Sequence, residues 1–339
     1  MAAHVAILMG TRNGARFLGD QLASIAGQSH RDWRLVVSDD GSTDATRAIL
    51  ATFAAEVGEA RVEVREGPRR GFAANFLSLA GDPGIRADFH AFADQDDLWH
   101  EDRLARGIAR IGGLPADRPA LTGGRTRLID EADAPLGLSP EFRLPPSFEN
   151  ALVQSIAGGN TKLFNAGAKR LFEAVPGVAA VAHDWWAYQL VAGAGGTVLY
   201  DPEPFVLYRQ HAGNLIGKNQ GMRAQGRRLR LLLAGQMAEW TDTNLAALVP
   251  GGAFGDQHHQ PATLGRRGPP QPWRHRIVDL VAVMVAEEGF VAEFVDPHAT
   301  APGTLPVVEF LPGLDDVVIN PERFPDDLGA ETLRAPGRV

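Results

Sequence analysis

The sequence predicts an α/β fold in which a mostly parallel sheet is flanked by helices. Two observations indicate this fold. Apolar runs rich in β-branched residues alternate with segments that carry apolar residues at three- and four-residue spacing. The chain of 339 residues is also long enough for one large α/β domain with an appendage, or for two domains.

The elements of this fold can be assigned in order along the first hundred residues. The expected strands are 5–9, 34–38, 61–65 and 89–93, and the expected crossover helices are 17–28, 44–57 and 72–81. Ligands of open α/β sheets bind beyond the carboxyl ends of the strands. The segments GTRNG (10–14), DDGSTD (39–44) and DQDD (94–97) follow such ends, so we expect them to meet at one edge of the sheet.

Composition excludes several classes of function. Asp and Glu number 41 against 33 Lys and Arg, and the net charge of -8 argues against a nucleic-acid-binding protein. The absence of cysteine excludes disulfides, thiolate metal sites and a cysteine nucleophile. The amino-terminal residues lack the features of a signal peptide, and no apolar run approaches the roughly 20 residues of a membrane span. We therefore expect a soluble, cytoplasmic protein.

Each of the three polar segments also has a simple structural interpretation. DDGSTD can form a turn whose Gly41 is conformationally free and whose Ser42, Thr43 or Asp44 caps the next helix. GTRNG can be a tight strand-to-helix connection, and DQDD can be an acidic cap for a helix that begins near Glu101. Capping does not explain a surplus of carboxylates at one edge of the sheet, so the segments together indicate a binding site.

Seven spaced motifs carry a resemblance to a known family. They are TRNGARFLGDQLASIAGQ, DWRLVVSDDGSTDAT, GFAANF, FADQDDLWHEDRL, GGNTKLFN, HDWW and YRQHAGN. In this order they resemble the inverting family-2 glycosyltransferases of the GT-A fold, a Rossmann-like fold of nucleotide-diphospho-sugar transferases. Within that family the sequence is most similar to the rhamnosyltransferase-like group that glycosylates bacterial surface polysaccharides.

The resemblance implies a first domain and a reaction. Residues 1–217 would form the GT-A domain, and composition beyond it predicts a helical extension at 218–250, then a linker and a C-terminal segment of no assigned role at 251–339. The reaction would move a sugar, rhamnose above all, from a dTDP- or UDP-linked donor to a glycan or lipid-linked glycan. Negative charge grows on the leaving diphosphate, so Mg²⁺ or Mn²⁺ is the expected cofactor.

The DQDD segment is the expected metal site. Residues two apart in an extended segment point to the same side, so Asp94 and Asp96 can face one ligand while Gln95 and Asp97 face away. By resemblance, Asp96 and His211 are metal ligands and Asp94 lies near the ribose and the metal. Asp97 is expected to support the loop or the acceptor side, or to cap the next helix.

The resemblance also implies a set of nucleotide-binding residues. Asp39 would contact the base and Asp40 the ribose, since a carboxylate can accept a hydrogen bond from the ring N–H of uracil or thymine. The remaining expected contacts are Thr11, Arg12 and Asn13 at the base pocket, Arg69, Arg70 and Asn75 near the nucleotide, and Arg209 at the diphosphate. For the pair Arg69 and Arg70, solvated arginines are the alternative.

The motifs GGNTKLFN and HDWW are expected to meet the two sugars. Asp184 is the expected general base, because a carboxylate in a partly desolvated cleft can remove the proton of an acceptor hydroxyl. We expect one of Trp185 and Trp186 in the core and the other as a platform for the acceptor. Gly159 and Asn160 are expected close to the donor sugar.

Two other functions stay open on the sequence alone. GTR after the first strand permits a sugar-1-phosphate nucleotidyltransferase, and the unusual C-terminal segment permits a non-catalytic nucleotide-sugar-binding protein. Basic residues in the 218–250 extension can contact anionic lipid headgroups at the inner face of the membrane, or form a solvated helix; they are Arg223, Arg227, Arg228 and Arg230. DQHH at 256–259 is a weaker candidate for metal binding.

Overall fold

The computed structural model describes residues 3–211, Trp240, Thr243 and Asn244. The expectations for the basic extension, the linker, the DQHH segment and the rest of the C-terminal segment therefore lie outside the described residues.

The first half of the chain alternates strands and helices as the sequence predicts. In order, it forms β1 (Val5–Thr11), α1 (Leu18–Ala26), β2 (Trp33–Asp39), α2 (Thr46–Val57), a 3₁₀ turn (Glu59–Arg61), β3 (Val62–Glu66), α3 (Phe72–Ala80) and β4 (Phe89–Ala93). β1 lies between β2 and β4, β2 also pairs with β3, and all three pairings are parallel. All four strands and all three helices predicted for this half are confirmed.

The second half contains shorter elements. In order, they are β5 (Leu98–Trp99), α4 (Arg103–Ile111), β6 (Ala120–Gly124), β7 (Arg127–Ile129), β8 (Pro135–Leu138), α5 (Phe148–Val153), a 3₁₀ turn (Gly159–Thr161), β9 (Leu163–Asn165), α6 (Ala166–Ala174), α7 (His183–Gly193), β10 (Thr197–Asp201) and β11 (Val206–Arg209). None of the helices in the described part of the chain is long and apolar enough to cross a membrane.

The strands form one large sheet and one small sheet. The large sheet has seven strands in the order β10-β6-β9-β4-β1-β2-β3, and the small sheet has four in the order β5-β11-β7-β8. β9 runs antiparallel to both of its neighbours, β4 and β6, whereas the other pairings of the large sheet are parallel. The predicted fold class, a mostly parallel sheet flanked by helices, is confirmed.

The large sheet is covered on both faces, which explains its apolar strands. Along β1, Ile7 packs with one cluster, formed by α1, α2 and α4, while Leu8 packs with the other, formed by α3, α6 and α7. The two residues are adjacent and therefore point to opposite faces. With both faces occupied, the carboxyl edge of the sheet is where the polar segments gather.

Candidate active site

The GTRNG, DDGSTD and DQDD segments meet at the carboxyl edge, as expected. The backbone N–H of Asn13 donates to Ser42 Oγ at 2.9 Å, and the backbone N–H of Thr43 donates to Asn13 Oδ1 at 2.8 Å. Asn13 has φ 48°, in the left-handed region that Asn tolerates well. Gln95 accepts from the backbone N of Arg12 at 2.9 Å and donates to its carbonyl at 3.2 Å. Side-chain hydrogen bonds therefore tie the first segment to both of the others.

Asp39 organises the DDGSTD loop. One carboxylate oxygen accepts from the backbone N of Ser42 at 3.0 Å and from Arg47 Nε at 2.9 Å; the other accepts from the hydroxyls of Thr11 and Ser42. Burial raises the pKa of Asp39, but these hydrogen bonds outweigh it and the pKa lies below its usual value. The four bonds occupy the acceptor positions of the carboxylate. In this state Asp39 shapes the loop, and its contact with the base stays a prediction.

Asp40 and Asn75 lie beneath the segment that precedes α3. Asp40 accepts a hydrogen bond from the backbone N of Arg69, and Asn75 donates to a carbonyl of β2 at 2.9 Å. A Cβ atom on Gly67 would lie 2.8 Å from a side-chain oxygen of each, so the backbone passes closely over both. Arg70 is exposed at the surface of this segment. Asn75 is buried and supports the segment from below.

Within the DQDD loop, Asp97 has a supporting role. It is fully buried and accepts from Asn160 Nδ2 at 2.6 Å and from the backbone N of Arg209 at 3.1 Å. Burial, followed by the charges of Asp96 and Asp94, raises the pKa of Asp97 well above its usual value. Of the alternatives for Asp97, the structure shows support of the loop.

Asp94 is influenced by both the candidate metal ligand and the candidate base. Burial, followed by the negative charges of Asp96 and Asp184, raises the pKa of Asp94 to about 8. Asp184 stands in the first turn of α7, and its Oδ1 accepts from the backbone N of Trp185 at 2.8 Å. The edge of the sheet thus gathers three carboxylates from two distant parts of the sequence.

Asp96 and His211 form the pair that could hold a metal ion. Asp96 Oδ2 and His211 Nε2 are 2.7 Å apart. Carboxylate oxygen suits Mg²⁺ or Mn²⁺, and imidazole is a common metal ligand. In the part of the chain that the structure describes, no group of three or more His, Asp or Glu side chains forms a metal site. A divalent ion here would therefore complete its coordination with water and with oxygens of a bound substrate.

The Gly159–Asn160 turn packs against the start of α7. A Cβ atom on Gly159 would lie 2.3 Å from His183 Nε2, so only glycine fits. The His183 ring stacks on Phe76, with the ring centroids 4.0 Å apart, and among the described residues neither ring nitrogen has a hydrogen-bond partner. Burial lowers the pKa of His183; the charge of Asp184 opposes this and that of Lys162 adds to it, and the resulting pKa is about 4. His183 is therefore a neutral part of the wall beside the candidate base.

Residues 6–148 match the family described as Glycosyl transferase family 2. The chain contains a family 2 glycosyltransferase domain. It is 26% identical over 236 residues to dTDP-rhamnosyl transferase RfbG of Shigella flexneri, a match that covers 66% of this chain and 78% of that protein. It is 28% identical over 105 residues to an uncharacterized glycosyltransferase of Nostoc, alr2836, covering 30% of this chain and 31% of that protein. The protein is therefore a glycosyltransferase, and the nucleotidyltransferase and non-catalytic alternatives are set aside.

Solved glycosyltransferases are also similar to this chain. Mannosyltransferase PcManGT from Pyrobaculum calidifontis, in complex with GDP-Man and Mn²⁺, has a TM-score of 0.48 and 16% identity, covering 84% of this chain and 81% of that chain. S. aureus TarS 1–349, in complex with UDP-GlcNAc, has a TM-score of 0.46 and 15% identity, covering 74% and 72%. Both TM-scores are below 0.5, so the assignment depends on the sequence match.

The structure corrects the expectation for the two tryptophans of the glycosyltransferase. Trp186 is 1% exposed and packs in the core against Phe172, and Trp185 is 6% exposed and donates to the carbonyl of Ala151 at 2.7 Å. Neither forms an acceptor platform, because helix α7 is covered on almost every side. The polar side chain that α7 leaves partly exposed at its first turn is Asp184.

The structure also corrects the expected role of Arg209. Its side chain is 1% exposed, pairs with Asp133, and donates from Nε to the carbonyl of Asp96 at 3.0 Å. A second carboxylate, Asp20 Oδ2, lies 3.6 Å from the guanidinium. Arg209 therefore supports the DQDD loop (94–97) from a buried position, which corrects the expectation that it contacts the diphosphate.

Sequence reasoning missed two buried cations of the glycosyltransferase site, Arg103 and Lys162. Lys162 donates to the carbonyl of Ala157 at 2.6 Å; burial lowers its pKa to about 8 and the charge of Asp184 opposes the shift. Arg103 lies within α4, whose apolar face includes Leu104 and Ile111. The available signal was a charged residue at a position that helical spacing assigns to that face.

Proposed function

We propose that this glycosyltransferase moves a sugar from a nucleoside diphosphate donor to a hydroxyl of a glycan or lipid-linked glycan, with inversion at the anomeric carbon. The observation that carries the proposal is the convergence of Asp184, Asp94 and the Asp96–His211 pair beside the loops that follow β1 and β2. The relative from Shigella flexneri is named as a dTDP-rhamnosyl transferase, so dTDP-rhamnose is the first donor to test.

The loops after β1 and β2 would receive the nucleotide. We assign the base to the loop of Thr11, Arg12 and Asn13, which side chains of the other two loops hold in place. Asp39 and Asp40 would lie along the base and ribose. Arg70 is exposed and can approach the diphosphate as a cation.

Asp96 and His211 would hold Mg²⁺ or Mn²⁺, with Asp94 next to them. When bound, the ion would neutralise charge on the leaving diphosphate. The pair supplies one oxygen and one nitrogen, which leaves positions for the diphosphate itself. The fit of these residues to a divalent ion supports the proposed metal dependence.

Asp184 would act on the acceptor. As the acceptor oxygen attacks the anomeric carbon, the bond from that carbon to the diphosphate breaks and its electron pair leaves with the nucleotide. The proton of the acceptor hydroxyl passes to the Asp184 carboxylate, which the hydrogen bond from Trp185 N orients. The amino-terminal turn of α7 also favours a negative charge at this position.

The Asp184→Asn variant tests this assignment. It keeps the size of the side chain but removes the proton acceptor, so transfer should fall by about 10²–10⁴-fold while nucleoside diphosphate affinity and Tm stay close to those of the parent. Transfer is measured by mass spectrometry, with dTDP-rhamnose and other nucleotide sugars offered against extracted glycans. Glu149→Gln, an exposed acidic residue in the first turn of α5, is the matched control.

Two results would contradict the proposal. A transfer rate of Asp184→Asn within a few-fold of the parent would reject Asp184 as the base. Donor binding by the parent without transfer to any offered acceptor would reject the proposed reaction.

A further inference from the structure

Arg103 is a buried cation that contacts the end of β4 and the Gly159–Thr161 turn of the candidate site. Its side chain is 1% exposed and lies over the Trp99 ring, with its guanidinium carbon 3.6 Å from the ring centroid. Arg103 donates from Nη2 to the carbonyl of Phe92 at 2.8 Å, and from Nη2 and Nε to the carbonyl of Asn160 at 2.7 and 3.2 Å. One side chain therefore bridges β4 and the 3₁₀ turn Gly159–Thr161.

These two contacts lie at the two ends of the DQDD loop, residues 94–97. Phe92 lies in β4, two residues before Asp94. At the other end of the loop, Asn160 uses its amide to donate to Asp97 Oδ2 at 2.6 Å. Arg103 and Asn160 together fix both ends of the loop against the turn that is expected to face the donor sugar.

The energetics of Arg103 do not suit a purely structural role. A buried charge is costly to desolvate, and a hydrophobic residue of similar volume would pack on an apolar helix face at lower cost. Among the described residues, the Nη1 group of Arg103 has no hydrogen-bond partner. Burial lowers the pKa of the guanidinium to about 9, and the charges of Asp97 and Asp94 oppose that shift. The cation is thus placed where its charge balances the acidic loop.

We propose that Arg103 is a positioning residue of the transfer reaction, which holds the Asp94–Asp97 loop and the Gly159–Asn160 turn as one rigid unit. This proposal rests on the proposed function. A guanidinium holds its donors in a rigid planar fork that spans the two carbonyl groups, whereas an ammonium is a point charge on a flexible stem and an apolar side chain has no donor. Without the bridge, the two loops would keep their folds but lose their fixed relation.

Hydrogen–deuterium exchange on the full chain tests the bridge without any need for activity. Arg103→Met should speed exchange of the backbone amides in segments 94–98 and 158–162 together. Arg106→Met is the matched control, because Arg106 lies in the same helix but pairs with Asp201, at 2.9 Å. Unchanged exchange in both segments, a change in only one of them, or the same joint change in Arg106→Met would overturn the proposal.

Kinetics separate positioning from general stability. Misplacement of catalytic groups by about 1 Å can cost on the order of 10²-fold in rate, so Arg103→Met should lower kcat by about that factor with little change in donor KM. Arg103→Lys should recover part of the loss, because its ammonium reaches one of the two carbonyl groups. Changes in kcat, KM and Tm that match those of Arg106→Met would assign Arg103 to the core alone and overturn the proposal.

A second comparison covers the case in which Arg103→Met does not fold. Arg103→Lys and Asp97→Asn each weaken the same link, so their effects on kcat should not multiply in the double variant. Fully independent effects would overturn the proposal. If the parent transfers no sugar, the proposed function fails, and hydrogen exchange in Arg103→Lys and Arg106→Met still decides the role of Arg103.

Discussion

At the scale of single residues, Asp96 and His211 make a close carboxylate–imidazole contact at the rim of the sheet. We expect Asp96→Ala to abolish the Mn²⁺-dependent tightening of nucleoside diphosphate binding without loss of the fold, because a rim carboxylate is not part of the core. Calorimetry measures the nucleoside diphosphate affinity of the parent and of the variant with and without Mn²⁺. Asp102→Ala is the control, since Asp102 forms a similar pair with His100, at 2.8 Å. Unchanged metal dependence in Asp96→Ala would contradict the assignment.

His183 predicts a loss of stability in acid. Its pKa in the folded chain, about 4, lies below the ordinary value of 6.5, so the unfolded chain binds the proton more tightly. The free energy of unfolding that depends on a neutral His183 is fully present above about pH 6.5 and is lost as the pH falls towards about 4. Between about pH 7 and about pH 4.5 the free energy of unfolding should fall in both proteins. The fall in His183→Phe should be about 2 kcal/mol smaller than in the parent.

Urea unfolding at the two pH values checks this prediction. His100→Phe is the control, because His100 is exposed. His90 is buried as well, and burial lowers its pKa to about 3, so part of the acid sensitivity persists in the variant. An acid loss in His183→Phe equal to that of the parent would mean that His183 does not stay neutral in the fold.

Sequence patterns located the site residues better than they assigned their contacts. The spacing of acidic residues after strands was enough to bring Asp39 and Asp94 to one edge of the sheet. It could not show that the acceptor positions of Asp39 are filled by its own neighbours, since Thr11 and Arg47 reach it only in the folded chain. Trp185 illustrates the same limit, because a helix that is apolar on almost every side gives no sign of which face is open.

At the scale of elements, the longest strands were predicted and the shortest strands of the large and small sheets, β9 and β5, were not. β1 and β2 have seven residues each and contain continuous apolar runs, and both were predicted. β9 has three residues and β5 has two, too few for a period to be recognised. The antiparallel insertion of β9 depends on tertiary pairing with β4 and β6, so no local pattern announced it.

Two helical glycines make opposite predictions for the same substitution. A Cβ atom on Gly167 in α6 would lie 2.7 Å from backbone atoms of Arg118, which cannot easily move, whereas Gly19 in α1 has nothing within 4 Å. Gly167→Ala should therefore lower Tm. Gly19→Ala should raise the free energy of unfolding by up to about 1 kcal/mol through helix propensity. Thermal and urea unfolding measure both, and a stabilised Gly167→Ala would show that α6 can shift away from residue 118.

At the scale of the whole molecule, the proposed site residues all lie between Thr11 and His211. A chain that ends after residue 250 should therefore stay soluble and bind nucleoside diphosphate with the affinity of the full chain. The cut lies beyond Asn244, which is buried and accepts from the backbone N of Val181 at 3.1 Å, just before α7. Binding is measured by calorimetry, and aggregation of the shortened chain would show that the later residues complete the core.

The position of β9 has a consequence for synthesis on the ribosome. The chain emerges from its amino terminus, so β1 to β4 can pair before β9, which begins at Leu163, has been made. Until then the outer side of β4 is an unpaired edge with the sequence FHAFA, and such apolar edges invite pairing with other chains. The interval between translation of residues 93 and 163 is thus a period in which the nascent chain exposes an aggregation-prone edge that a chaperone could cover.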